Sequence, residues 1–307
     1  MLIPVEAMPE EFVLGFEGRV MNVNVTHNRR ALFSAIARRF ALAPNASRVE
    51  LLAAASLTEL PAFCRNHTIL PFSRFAVSDT GSRLPHGLPE DRTVHQQRAL
   101  KPGHTQAKFC RDCANEDKRD HSFSYWRRAH QIHGVERCPT HGTPLSLTTM
   151  QFAYEYMPAE HCNSALDLEA SKFDECPALQ RYAEIACHTL TLTQPLLASR
   201  LGSLLGEQAR RRGLRTTESG PRPLLSEIAL DMLPMAWIEQ HYPSITRKRG
   251  RAFSATLDSA CRAVGHCKPV SFALALALIF DTADAAIQFL TDAVERDGER
   301  PDEKMVS

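Results

Sequence analysis

The chain has 307 residues, of which 44% are hydrophobic and 23% charged, and its formal net charge is +1. That length supplies roughly two or three domains and at least one substantial core, while near-neutrality excludes a global positive field that would draw the whole surface onto nucleic acid. Nine cysteines are an odd number, and the opening MLIPVEAMPEEF lacks a basic and then apolar signal segment, so a reducing cytoplasm is expected rather than a disulfide scaffold. The most apolar run, Val270 to Phe280, is far shorter than the ~20 residues of a membrane crossing and is expected to be a buried helix.

Pro9, Glu10 and Glu11 suit the first turn of a helix, where proline loses no hydrogen bond and carboxylates meet the positive end of the dipole. Phe12, Val13, Phe16 and Val20 continue along one face. Gly15 and Gly18 weaken that helix, and Met21, Val23 and Val25 alternate with asparagines as a short strand does. After a turn at Thr26 to Arg29, the positions Leu32, Phe33, Ile36, Ala37 and Phe40 predict an amphipathic helix, and Ser47 with Glu50 forms a capping box ahead of LLAAASL. Three short helices in about 60 residues make a small helical domain, either a helix-turn-helix or a bundle that only packs, with no basic cluster read on any of the three. Two prolines break the stretch Leu60 to Phe75, and His67 lies there in apolar company, as a core histidine does. From Ser78 to His104 the chain is rich in glycine, proline and charge and lacks periodicity, which reads as a long loop or linker.

Cys110 and Cys113 form a CxxC knuckle, and Cys138 and His141 form a CxxH knuckle after 24 intervening residues. Ligands two residues apart let one tight turn supply two corners of a tetrahedron, and three thiolates with one imidazole are a donor set that zinc favours. Four protein ligands leave no vacancy for substrate, so a structural zinc site is expected. His104, His121, His130 and His133 lie nearby in sequence, and His133 or Cys162 satisfies the spacing as well as His141 does. Between the knuckles, Phe123, Trp126, Arg127, His130 and Gln131 recur at roughly helical spacing up to Gly134, which predicts one inserted helix over His121 to Gly134.

The run HTILPFSRF, then FCRDC, then YWRRAHQIHGVERCPTHGTPL resembles the TniQ family of transposition proteins, which includes the TnsD-type target selectors. The resemblance covers roughly residues 9 to 148. Many relatives follow the CxxHG knuckle closely with another cysteine pair; here Leu145 leads into LSLTTMQFAYEY, and the later Cys162 and Cys176 lack knuckle spacing, so one zinc site is expected and no second. The resemblance implies a protein that recognises a target, either DNA or an RNA-guided CRISPR complex, and recruits an AAA+ ATPase that engages the transposase. On that reading Tyr125, Trp126, Arg127 and His130 become candidate partner contacts as surface anchors, because aromatics and arginine dominate interface hot spots, while the alternative for Tyr125 and above all for Trp126 is that they pack the helix onto the knuckles.

Further on, Pro177 to Leu190 and Pro195 to Arg212 predict helices, the second with Leu197, Leu201, Leu204, Leu205 and Ala209 on one face and Gly213 as its stop. Helices are also predicted at about Leu224 to Met232, Met235 to His241, Ser254 to Val264, Ser271 to Phe280 and Ala283 to Arg296; the last three read either as another helix-turn-helix or as plain bundle packing. Two basic clusters are candidate nucleic-acid contacts through phosphate neutralisation: Arg210, Arg211, Arg212 and Arg215 at a helix end, and Arg247, Lys248, Arg249 and Arg251 in the run RKRGR. Asp281 to Lys304 carries eight acidic and three basic residues, which disfavours DNA there.

The expected architecture is therefore mainly α. It comprises an N-terminal helical domain at 1–77, a linker at 78–104, a zinc-ribbon segment at 105–150, a C-terminal helical bundle at 151–297 and a disordered tail at 298–307. No HExxH, GxxxxGK[ST] or GxSxG phrase is present, and no HxE precedes the CxxC, so a non-enzyme is expected. The leading reading is a transposition target-selection adaptor, and the competing one is a zinc-ribbon DNA-binding transcriptional regulator. The sequence leaves homodimerisation open and points to no membrane.

Overall fold

The structure is a computed structural model of the chain and describes residues 2–79, 106–148, 150, 152–167, 176–246, 252–264 and 267–298. It is mainly helical. Of the described residues, those in 2–72 and 106–167 form one compact unit, and those in 73–79 and 176–298 form another.

The first unit is organised on α1 (Val13–Val23). Phe12, Val13, Phe16 and Val20 are fully buried, as the apolar spacing predicts. The two glycines that weaken the helix on propensity grounds are what allow it to pack. A Cβ on Gly15 would stand 2.7 Å from the Trp126 side chain, and one on Gly18 would stand 2.0 Å from the Tyr154 carbonyl oxygen. The strand expected over Met21 to Val25 is not formed. The helix runs through Val23, and Val25 sits at φ 46°, in a left-handed turn that no strand accommodates. In α2 (Arg29–Arg39) the side chain of Asn28 accepts the Ala31 N–H at 3.0 Å, and Leu32 and Ile36 are the buried residues. The predicted capping box opens α3 (Arg48–Ala55): Glu50 N–H donates to Ser47 Oγ at 3.1 Å and Ser47 N–H donates to Glu50 Oε2 at 2.7 Å. The prolines at 61 and 71 do not break their segment. Each falls in the first turn of a short helix, α4 (Leu60–His67) and α5 (Leu70–Arg74), where its missing N–H is not needed.

Three short strands, β2 (Ala107–Phe109), β3 (Ser146–Thr148) and β4 (Leu166–Asp167), make an antiparallel sheet in that order, with Lys108 opposite Leu147 and Leu147 opposite Leu166. The inserted helix is not where periodicity placed it. The helix is α6 (Arg111–His121), which begins at the first knuckle and stops at Ser122 with φ 70°; over His121 to Gly134 there is only a 3-10 turn, Arg128–Gln131. The sequence RDCANEDKRDH buries only Cys113, Ala114 and Asp117, so it offers too few apolar positions to show a period.

The second unit contains β1 (Ala76–Val77) paired in parallel with β5 (Leu196–Leu197). Around it lie α7 (Pro177–Thr189), α8 (Ala198–Arg211), α9 (Leu225–Met232), α10 (Met235–His241), α11 (Pro243–Thr246), α12 (Pro269–Ile279) and α13 (Ala283–Gly298). Every residue from Ser271 to Ile279 is buried, so α12 is the core helix against which its neighbours lay their apolar faces. The helix expected over Ser254 to Val264 is instead a 3-10 turn, Asp258–Cys261. The buried Asp258 carboxylate accepts from Ser254 N at 2.6 Å, Ser226 N at 2.8 Å and Ser226 Oγ at 2.8 Å, and this ties the segment to α9 instead of letting it coil on itself. Gly202 and Gly206 of α8 admit its backbone closely: a Cβ there would lie 1.9 Å from Arg262 O and 2.4 Å from Cys261 O. No helix among the described residues is long and apolar enough to cross a membrane. Of the linker expected at 78–104 and the tail expected at 298–307, residues 80–104 and 299–307 lie outside the described residues.

Candidate metal centre

Each knuckle is a local product of its chain. Cys110 closes β2 at the N-cap of α6, and Cys113 follows within the helix's first turn, where the positive end of the dipole favours thiolate. Cys138 and His141 lie on the turn before β3. Here Gly142 N–H donates to Cys138 O at 2.8 Å, Cys138 N–H donates to Thr143 O at 2.8 Å, and Gly142 takes the left-handed φ of 65° that the turn requires.

Among the described residues these four make the single group of metal-ligating side chains, with ligand atoms all within 4.8 Å of one another. Cys113 Sγ lies 3.6 Å from Cys138 Sγ, far beyond a disulfide, and His141 Nδ1 lies 3.5, 3.3 and 3.6 Å from the sulfurs of Cys110, Cys113 and Cys138. A regular tetrahedron with Zn–S near 2.3 Å and Zn–N near 2.0–2.1 Å has S–S edges of about 3.8 Å and S–N edges of about 3.5 Å. The donor set and its spacing therefore fit zinc. Neither His133 nor Cys162 belongs to the group.

The surroundings support the same geometry. His141 Nε2 is 3.0 Å from Glu116 Oε1, so a carboxylate holds the outer ring nitrogen while Nδ1 faces the sulfurs, an arrangement common among metal-binding histidines. Desolvation pushes the His141 imidazole down, but the hydrogen bond to Glu116 and the proximity of Cys110 outweigh it and its pKa is raised. Cys138 Sγ accepts the His141 N–H at 3.4 Å. The thiols cannot all ionise at this separation. Hydrogen bonds from Cys113 and Cys138 lower the pKa of Cys110, and contact with Cys110 raises those of Cys113 and Cys138. A divalent cation at the centre would relieve that conflict.

Glu116 was missed on spacing alone, although it lies three residues after Cys113 and hence on the same face of α6. The sequence reading also missed a fully buried ion pair behind the site. Lys108 Nζ lies 2.8 Å from Glu136 Oε1 and donates to Val135 O at 2.6 Å, with both side chains only 1% exposed. Burial lowers the Lys108 pKa, and Glu136 offsets part of that.

The YWRRAHQ phrase is internal rather than presented to partners. Tyr125, Trp126 and His130 are 6, 2 and 1% exposed; for Tyr125 and Trp126 this is the packing alternative, and for His130 it corrects the expectation of a surface anchor. Trp126 packs on Gly15 and donates Nε1–H to Tyr156 O at 2.8 Å. Arg127 pairs with Asp117 at 2.6 Å over the Tyr125 ring. Arg128, nearly fully buried, grips Glu10 with Nε at 2.5 Å and Nη2 at 2.8 Å and caps the carbonyls of Arg65 and Thr68. Desolvation drives His130 down to about 3, so its ring is neutral. Gln131 exchanges hydrogen bonds with the Lys108 backbone. The phrase is thus the joint between the N-terminal helices and the knuckles.

The arginines at the end of α8 are largely committed. Arg211 pairs with Glu207 at 2.5 Å, Arg212 with Asp281 at 2.6 Å, and the buried Arg215 donates to Glu218 O at 2.9 Å. Arg247, Lys248, Arg249 and Arg251 lie outside the described residues. The reading that no N-terminal helix gathers basic residues is corrected by α2, which carries Arg29, Arg30, Arg38 and Arg39 and no acidic residue.

Fold and site together define a mainly helical protein whose first unit is assembled around a Cys3His cluster. The family model described as TniQ matches residues 2–145, a little under half of the chain, and over that stretch, which ends just past the second knuckle, the chain is similar to the TniQ family. No curated protein matches the chain.

Proposed function

We propose that this chain is a non-enzymatic adaptor for transposon target-site selection, linking a target, either DNA or an RNA-guided CRISPR complex, to an AAA+ ATPase and through it to the transposase. The observation that carries this reading is the TniQ match over residues 2–145, because it spans the same stretch that the cluster and the YWRRAHQ joint hold together. On this reading Cys110, Cys113, Cys138 and His141 bind one structural zinc. The ion supplies no chemistry to a substrate; the four residues use it to clamp the end of β2, the start of α6 and the turn before β3. Arg127 is the one member of the anticipated partner contacts with appreciable exposure, its side chain 26% accessible.

The test is targeted insertion in cells supplied with a transposase and an AAA+ ATPase from a transposon that carries a TniQ-like protein, with and without the chain, together with capture of the ATPase by the purified protein. Insertion at a defined site should require the chain, and the ATPase should co-purify with it. A protein that binds an operator and controls transcription with neither partner would instead establish the regulator reading.

A further inference from the structure

Between Glu17 and Glu50 the chain contains no acidic residue and six arginines. Three of these are already engaged: Arg19 with Glu11, and Arg29 and Arg48 with the buried Glu17. The other three, Arg30, Arg38 and Arg39, are exposed on α2, and no carboxylate pairs with them among the described residues. In a chain of net charge +1 this is a concentrated local excess.

Its placement is regular. Arg30, Ser34 and Arg38 follow one another at i, i+4 and i+8, so they form a stripe centred on Ser34, about half a turn from the buried Leu32 and Ile36. At 1.5 Å per residue, Arg30 and Arg38 are about 12 Å apart along the axis, which matches the roughly 12 Å width of the B-DNA major groove. The remaining exposed positions on the helix are Ala31 and Arg39, one small and the other a further cation. An open groove of about 470 Å³, lined in part by Arg30, Phe33, Ser34 and Pro44, runs alongside. The helix enters from α1 through the short turn Asn24 to Asn28, the connection of a helix-turn-helix. An apolar partner helix is a poorer fit, because none of the large exposed hydrophobic side chains lies on α2 or α3.

We propose that α2 is a double-stranded-DNA docking helix, with Arg30 and Arg38 neutralising phosphates on the two sides of the groove and Ser34 between them towards the base edges. This deepens the target-selection reading and rests on it, and it makes DNA itself part of what the protein contacts.

The test is fluorescence anisotropy of the full-length, zinc-loaded protein on a short labelled duplex of mixed sequence, across a salt series. The double variant Arg30→Ala with Arg38→Ala is compared with a control, Arg211→Ala with Arg212→Ala, whose arginines are ion-paired. The α2 variant should bind about tenfold or more weakly at low salt, and the slope of log K against log salt should fall by about 1.8, while the control leaves both unchanged. Circular dichroism and melting confirm that the fold is retained, since both positions are exposed. Absence of wild-type binding at low salt, an α2 variant that matches wild type, or equal loss in the control overturns the proposal. So does an α2 variant that keeps DNA binding and loses capture of the ATPase, which would make the face a protein interface. DNA binding that depends on α2 without any ATPase capture or targeted insertion by the wild type would refute the adaptor reading and leave this assignment standing.

Discussion

Gly18→Ala isolates how α1 meets the rest of the first unit. In an exposed helix the change would stabilise by about 1 kcal/mol, because alanine loses less backbone entropy than glycine. Here the added Cβ would stand 2.0 Å from Tyr154 O and 2.9 Å from Glu155 Cα, and both obstacles are backbone, which no rotamer change can move. Reaching even the 3.0 Å limit that real Cβ contacts respect means parting α1 from the 3-10 turn Ala153–Glu155 by at least 1 Å. That motion loosens the hydrogen bonds from Asn22 Nδ2 to Glu155 O at 3.0 Å and from Trp126 Nε1 to Tyr156 O at 2.8 Å. Overpacking of this kind costs about 1–3 kcal/mol, and one weakened hydrogen bond adds about 1 kcal/mol. The clash therefore outweighs the propensity gain, for a net loss of about 2 kcal/mol. In thermal melts of the zinc-loaded protein this appears as a drop in Tm on the order of 5–10 °C for the first unit. Gly15→Ala should be milder, because its obstacle is the Trp126 side chain at 2.7 Å. A Gly18→Ala protein that melts at or above the wild-type temperature would refute the close-approach argument.

Other outcomes follow from the same geometry. Cys113→Ser should lose the metal and, with it, the protease resistance and cooperative melting of the first unit, and chelation of the wild type should do the same; a metal-free protein with an unchanged Tm would show that the cluster is not a structural site. Arg128→Met should cost about 3–5 kcal/mol in urea titrations, because the buried carbonyls of Arg65 and Thr68 lose their donor as well as the pairing with Glu10 being lost. Arg128→Lys should recover only part of that, since an ammonium cannot reach all three partners in the same fork. His67 is buried against Phe63, with Nδ1 3.2 Å from Glu11 O, and desolvation lowers its pKa to about 4. The unfolded chain takes up this proton near the ordinary histidine value of 6.5 and the native protein only near 4, so the stability it confers is fully present above 6.5 and is lost as pH falls from 6.5 towards 4. The span is about 3 kcal/mol, and His67→Gln should flatten the stability-against-pH curve in that window by about this amount. An identical curve for the variant would place the acid sensitivity elsewhere.

What the sequence by itself determined is what depends on neighbours a few residues away. The two knuckles are legible because two-residue spacing on a turn already dictates that Cys110 with Cys113, and Cys138 with His141, face a common point. The capping box at Ser47 and Glu50 and the apolar spacing of α7, α8 and α12 are local in the same sense. The choice of His141 over His133 and Cys162 was not local. It follows from the turn that brings the second knuckle against α6, where Glu116 receives the outer nitrogen. The direction of the YWRRAHQ side chains was also decided only by the tertiary structure. Their inward course depends on Gly15, on Glu10 118 residues from Arg128, and on the Lys108 backbone that Gln131 hydrogen-bonds, and no periodicity within the phrase encodes those partners. The same reason accounts for the misplaced helix and the misread glycines. Local propensity prices α6 too low and Gly18 as a defect, whereas burial between elements distant in sequence supplies the larger energy and sets the outcome.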